Sequence, residues 1–104
     1  MLDLSQDEWA TQLESDSKSV ILDVRTQEEL EEGMIPEAIH MDIYSGQEFI
    51  SGLEKLDKTQ NYYVYCRSGN RSAQACCIME QLGFTSKFNL SGGFLEWTGS
   101  SVTP

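Results

Sequence analysis

A chain of 104 residues suits a single domain, since domains run from about 50 to 250 residues, and its 39% hydrophobic and 10% aromatic content can fill a core, which excludes a disordered chain. With 17 acidic against 7 basic residues the formal charge is −10, which disfavours nucleic acid and membrane surfaces as partners. No signal peptide or span of about 18 apolar residues is visible, and three cysteines, two of them adjacent, speak for reduced thiols and a cytoplasmic location.

In chain order, Ser5 stands three residues before Glu8 as a capping box, and Trp9 and Leu13 follow at helical spacing, so a short opening helix is expected. Residues 20–24, Val-Ile-Leu-Asp-Val, form an apolar run of strand length without alternation, the mark of a strand buried on both faces. Thr26 and Glu29 make a second capping box for a helix that ends near Gly33. Residues 39–43 read as a second strand, and Phe49, Ile50, Leu53 and Leu56 as one face of a helix closed by the polar turn 57–61.

Residues 62–65, Tyr-Tyr-Val-Tyr, are the most strand-like run in the chain. A loop of small polar residues follows, and Ala75, Ile78, Met79 and Leu82 mark a helix stopped by Gly83. Residues 87–90 give a last strand, Gly92 and Gly93 a turn, and 94–97 a short helical tail. Strands alternating with helices predict an α/β domain with a mostly parallel sheet and right-handed crossovers.

Ligands of such sheets bind beyond the carboxyl ends of the strands, and residues 66–72, Cys-Arg-Ser-Gly-Asn-Arg-Ser, lie there. Small turn-forming residues let successive N–H groups face inward as an anion nest, and the following helix N-terminus adds positive potential. Two of the three arginines, Arg67 and Arg71, sit in this loop, and the guanidinium fork suits oxyanions. Cys66 is therefore expected to carry a stabilised thiolate and to act as a nucleophile without a histidine base. His40 lies on another strand. Cys76 and Cys77 are expected to pack in the core, and no pair of ligands at zinc spacing occurs.

Four ordered segments, residues 23–30, 33–38, 65–72 and 90–94 with Trp97, resemble the successive signatures of the rhodanese family and cover nearly the whole chain. The resemblance implies a rhodanese-like domain over residues 1–104, with a central five-stranded sheet and helices on both faces. It further implies sulfur transfer through a persulfide on Cys66, cradled by the loop of Arg67, Ser68, Gly69, Asn70, Arg71 and Ser72. Arg67 and Arg71 would attract an anionic donor such as thiosulfate. The acceptor would be cyanide or a thiol such as thioredoxin or glutathione, no cofactor is implied, and the expected state is a monomer or weak dimer.

The family's usual Gly-His-Ile-Pro-Gly-Ala is altered here by Met34 and Glu37, and Glu is disfavoured where φ is positive. Asp23 and Arg25 are read as structural support, with Arg25 pairing to Glu29 at i, i+4. Two rivals remain. Phosphatases and arsenate reductases use a similar loop but with five residues between Cys and Arg, against four here. A non-catalytic rhodanese-like binding module is the other.

Overall fold

The computed structural model describes residues 2–104. Its strands are β1 (Leu2–Leu4), β2 (Ser19–Asp23), β3 (Ile39–His40), β4 (Asn61–Tyr65) and β5 (Ser86–Leu90). They form one sheet in the order β1-β5-β4-β2-β3, and every pairing is parallel. The helices are α1 (Gln6–Glu14), α2 (Gln27–Glu31), α3 (Gln47–Glu54) and α4 (Asn70–Gln81), with single 3-10 turns at Ile43–Ser45 and Phe94–Glu96. The α/β architecture expected from the sequence is present, with the sheet wholly parallel.

Both faces of the sheet are covered, which is why β2 and β4 read as unbroken apolar runs. Side chains alternate between faces along a strand. Leu22, Tyr62 and Val64 accordingly meet Phe49 and Leu53 of α3 and Ala75, Cys76 and Met79 of α4. Ile21, Tyr63 and Tyr65 point to the other side and join Trp9 of α1, Ile35 and Leu90. The Trp9 ring stands edge-on to Tyr63, Tyr65 and Trp97, with centroids 5.7, 6.3 and 5.7 Å away. Such edge-to-face contacts add to the burial of large rings.

Both capping boxes form as expected, Ser5 with Glu8 and Thr26 with Glu29. Three expectations need correction. The N-terminal residues add β1, which pairs Leu2, Asp3 and Leu4 with Phe88, Asn89 and Leu90; three residues with Leu2 exposed are too short to show a period. The strand expected over 39–43 ends at His40, because the Asp42 side chain accepts the Tyr44 N–H at 2.8 Å and turns residues 43–45 into a 3-10 helix. Cys77 is exposed on α4 rather than packed, whereas Cys76 is buried as expected, and burial pushes its thiol up to about 12.

Candidate active site

Cys66 follows directly on β4, the middle strand of the sheet, and the chain then turns through Arg67, Ser68 and Gly69 into α4. The turn works because Gly69 adopts φ 108°, a left-handed conformation that a side chain would resist. Gly69 is also the N-cap of α4, where no side chain caps the first turn. The free N–H groups of that turn are therefore available to an anion.

The anion position is filled by the Cys66 sulfur. Sγ accepts the Gly69 N–H at 3.1 Å and faces the Ser72 hydroxyl at 3.3 Å. Burial of Cys66 works against ionisation. Hydrogen bonds from the Ser72 hydroxyl and from the backbone N–H groups of Ser72, Gly69 and Ser68 outweigh it, and the thiol lies below its ordinary pKa. Ser72 is buried, while Arg67, Ser68 and Asn70 are exposed around the rim.

The loop is fastened from outside by the turn at Gly92 and Gly93. The Phe94 and Leu95 N–H groups donate to the Cys66 and Arg67 carbonyls, each at 2.9 Å. This approach is possible only at a glycine: a Cβ on Gly93 would lie 2.4 Å from the Arg67 carbonyl oxygen and 2.7 Å from that of Cys66. The sequence marked these glycines as a turn and missed their service to the loop.

The two loop arginines divide their roles. Arg71, expected to attract an anionic donor, has its guanidinium engaged within the protein. Its guanidinium grips the Glu29 carboxylate through Nη1 to Oε1 at 2.7 Å and Nη2 to Oε2 at 2.8 Å, and stacks near the Tyr44 ring. Arg67, by contrast, makes no ion pair among the described residues. It lines a cleft of about 250 Å³ beside the loop together with Arg25, Glu29, Glu32, Phe94 and Leu95. A larger groove of about 590 Å³, lined by Leu13, Ile21, Ile35 and Pro36 among others, contains no residue of the loop.

Arg25 also departs from expectation. It pairs not with the Glu29 carboxylate, which Arg71 occupies, but with Asp23: Nη2 reaches Oδ2 at 2.7 Å and Nε reaches Oδ1 at 2.9 Å. Tyr65 donates its hydroxyl to the same Asp23 carboxylate at 2.6 Å and accepts the Ile35 N–H at 3.0 Å. All of these groups are buried, and Arg25 also lies over the Phe94 ring at 4.5 Å. The network joins the ends of β2 and β4 to the 94–96 turn, a supporting arrangement beneath the cleft. His40 uses Nε2 to contact the Arg25 carbonyl at 2.7 Å.

Glu37 stands where a glycine is usual and is the one non-glycine residue with positive φ, 71°, among the described residues. The turn geometry is thus kept, with strain of the kind a glycine avoids. Met34 exchanges two backbone hydrogen bonds with Val102, at 2.8 and 2.9 Å, and ties down the C-terminal segment.

Known proteins similar to this chain share one domain family, though their names differ and include a tRNA uridine(34) hydroxylase of Pelagibacter ubique, 30% identical over 83 residues, of which the match covers 28%. The family profile described as Rhodanese-like domain matches residues 5–100. YtwF of Bacillus subtilis, which carries a provisional sulfurtransferase name, is 38% identical over 89 residues, covering 86% of this chain and 82% of its own. The thiosulfate sulfurtransferase GlpE of Coxiella burnetii is 36% identical over 84 residues, covering 81% and 76%. Among solved structures, a Rhodanese-like domain protein from Staphylococcus aureus superposes with a TM-score of 0.85 at 28% identity, covering 100% of this chain and 99% of that one.

Proposed function

Because the chain belongs to the Rhodanese-like domain family, we propose that it is a sulfurtransferase in which Cys66 carries the sulfur as a persulfide. The observation that carries this reading is the placement of the Cys66 sulfur against the Gly69 N–H and the Ser72 hydroxyl, at the mouth of an uncapped helix. That setting favours a thiolate, and a nest of N–H groups suits the negative terminal sulfur of a persulfide equally well.

The chemistry proceeds in two halves. The Cys66 thiolate attacks the outer sulfur of thiosulfate; the new S–S bond forms as the old one breaks, and sulfite leaves with its electron pair. Cyanide or an acceptor thiolate, such as that of thioredoxin or glutathione, then takes the outer sulfur and returns Cys66 as thiolate. Thiosulfate as donor is supported by the name of the Coxiella relative and by Arg67, an exposed residue at the edge of the loop with no ion-pair partner among the described residues. Arg71 acts differently: held by Glu29, it shapes the loop and is not free to clamp a phosphoryl group, which weighs against the phosphatase alternative.

Initial-rate kinetics test this reading. Thiosulfate and cyanide varied against each other should give the parallel double-reciprocal lines of a ping-pong mechanism, and Cys66→Ala should abolish turnover. Converging lines, or activity retained by Cys66→Ala, would contradict it. A partner protein bound equally by wild type and Cys66→Ala, with no donor turned over by either, would favour the binding-module reading.

A further inference from the structure

The carbonyl oxygen of Gly69 has more donors around it than it can accept. The Ala73 N–H lies at 3.1 Å, the Asn89 side-chain Nδ2 at 3.2 Å and the Ser72 Oγ at 3.2 Å. A carbonyl offers two lone pairs, and the Ser72 hydroxyl has a single proton. That proton has two acceptors in reach, the Gly69 oxygen and the Cys66 sulfur at 3.3 Å. When Ala73 and Asn89 fill the carbonyl, the sulfur is the acceptor left.

The orientation of the Asn89 amide is fixed by its neighbours. Nδ2 also donates to Asp3 Oδ1 at 2.8 Å, in the register that pairs Asp3 of β1 with Asn89 of β5. Turning the amide over would set Oδ1 against two oxygens. As it stands, Asn89 Oδ1 is the one buried side-chain polar atom without a hydrogen-bond partner among the described residues. An orphaned acceptor carries a desolvation cost, so an amide at this buried position is explained by what its nitrogen does rather than by its oxygen.

We propose that Asn89 is a positioning residue for Cys66: by occupying the Gly69 carbonyl it directs the Ser72 hydroxyl proton to the Cys66 sulfur. Asp3 holds Asn89 in place, so β1 reaches the Cys66 sulfur through the side chains of Asp3, Asn89 and Ser72. The value of this device for sulfur transfer rests on the persulfide chemistry proposed above. The hydrogen-bond relay can be measured without it.

The test is the pH titration of the Cys66 13Cβ resonance in protein labelled at cysteine. It is recorded for wild type, Asn89→Leu, Ser72→Ala and the double variant. Asn89→Leu should raise the Cys66 midpoint and lower the thiolate fraction below that midpoint by about threefold to tenfold. Ser72→Ala should raise the midpoint at least as far, and adding Asn89→Leu to it should change nothing more. An unmoved midpoint in Asn89→Leu, or an equal further shift in the Ser72→Ala background, overturns the proposal. Should Asn89→Leu not fold, Asn89→Ala removes the same donor without adding bulk and is read by the same two criteria. Sulfur transfer assayed on the same samples keeps the two ideas apart, since loss of the persulfide reading leaves the titration result standing.

Discussion

Arg71, on the first turn of the helix that follows Cys66, is joined to Glu29 on α2 by two parallel hydrogen bonds of 2.7 and 2.8 Å. The same Glu29 carboxylate completes the cap of its own helix by accepting the Thr26 N–H at 3.1 Å. One side chain thus caps the start of a helix and braces the Cys66 loop. The Arg71 guanidinium, opposed by burial, holds the Glu29 carboxyl down at about 2.

This brace should be visible in acid. A carboxyl depressed by folding contributes stability that is complete above its unfolded pKa and is lost as pH falls through its folded one. For Glu29 the window runs from the ordinary value of 4.5 down to about 2. Glu29→Gln keeps a capping-box side chain but removes the charge that Arg71 grips. It should lower stability near neutral pH by about 1–2 kcal/mol, and its melting curve should converge with that of wild type toward the acid end. A constant difference down the whole range would show that the ion pair contributes nothing.

The Asp23, Arg25 and Tyr65 network is buried, so removing one partner leaves a charge without its counter-ion. Arg25→Ala should cost about 3–5 kcal/mol in thermal or urea unfolding. Tyr65→Phe, which removes only the hydroxyl shared by Asp23 and the Ile35 N–H, should cost about 1–3 kcal/mol. Equal, small losses would mean that solvent replaces these contacts.

Gly92 and Gly93 both have positive φ, but only Gly93 meets backbone. Its missing Cβ would strike the Arg67 and Cys66 carbonyls, whereas that of Gly92 would meet the end of the Glu96 side chain. Gly93→Ala should therefore destabilise the protein by about 2–4 kcal/mol and disable the loop. Gly92→Ala should be milder in both respects. Comparable losses for the two would point to φ alone as the cause.

Much of this was readable from the residues. The capping boxes of Ser5 and Thr26 and the strand-like runs at 20–24 and 62–65 stood out because cap chemistry and buried apolar runs are local signals. The position of Cys66 between a buried strand and a small-residue loop likewise marks, in the sequence, the helix-mouth setting that its sulfur occupies. What escaped was set by contacts between distant segments. The partner of Arg71 is Glu29, 42 residues away, whereas helical spacing alone pairs that glutamate with Arg25. Asn89 shows only as a polar residue inside a strand, and its two acceptors lie on β1 and in the loop. The exposure of Cys77 is hidden in the sequence because its apolar neighbours Ala75 and Ile78 do not reveal which side of the helix it occupies.

Arg67 is where the proposed donor binding can be tested apart from the fold. It is exposed and without an ion-pair partner among the described residues. Arg67→Ala should raise the KM for thiosulfate by about tenfold, leave unfolding within about 0.5 kcal/mol of wild type, and still permit the persulfide to form. An unchanged KM would place donor binding elsewhere.

The central claim concerns one sulfur atom on one residue. Intact-protein and peptide mass spectrometry after thiosulfate treatment should show the added mass of a single sulfur on Cys66, none on Cys76 or Cys77, and its disappearance on addition of cyanide. An unmodified Cys66, or added sulfur that survives in Cys66→Ala, would contradict the account.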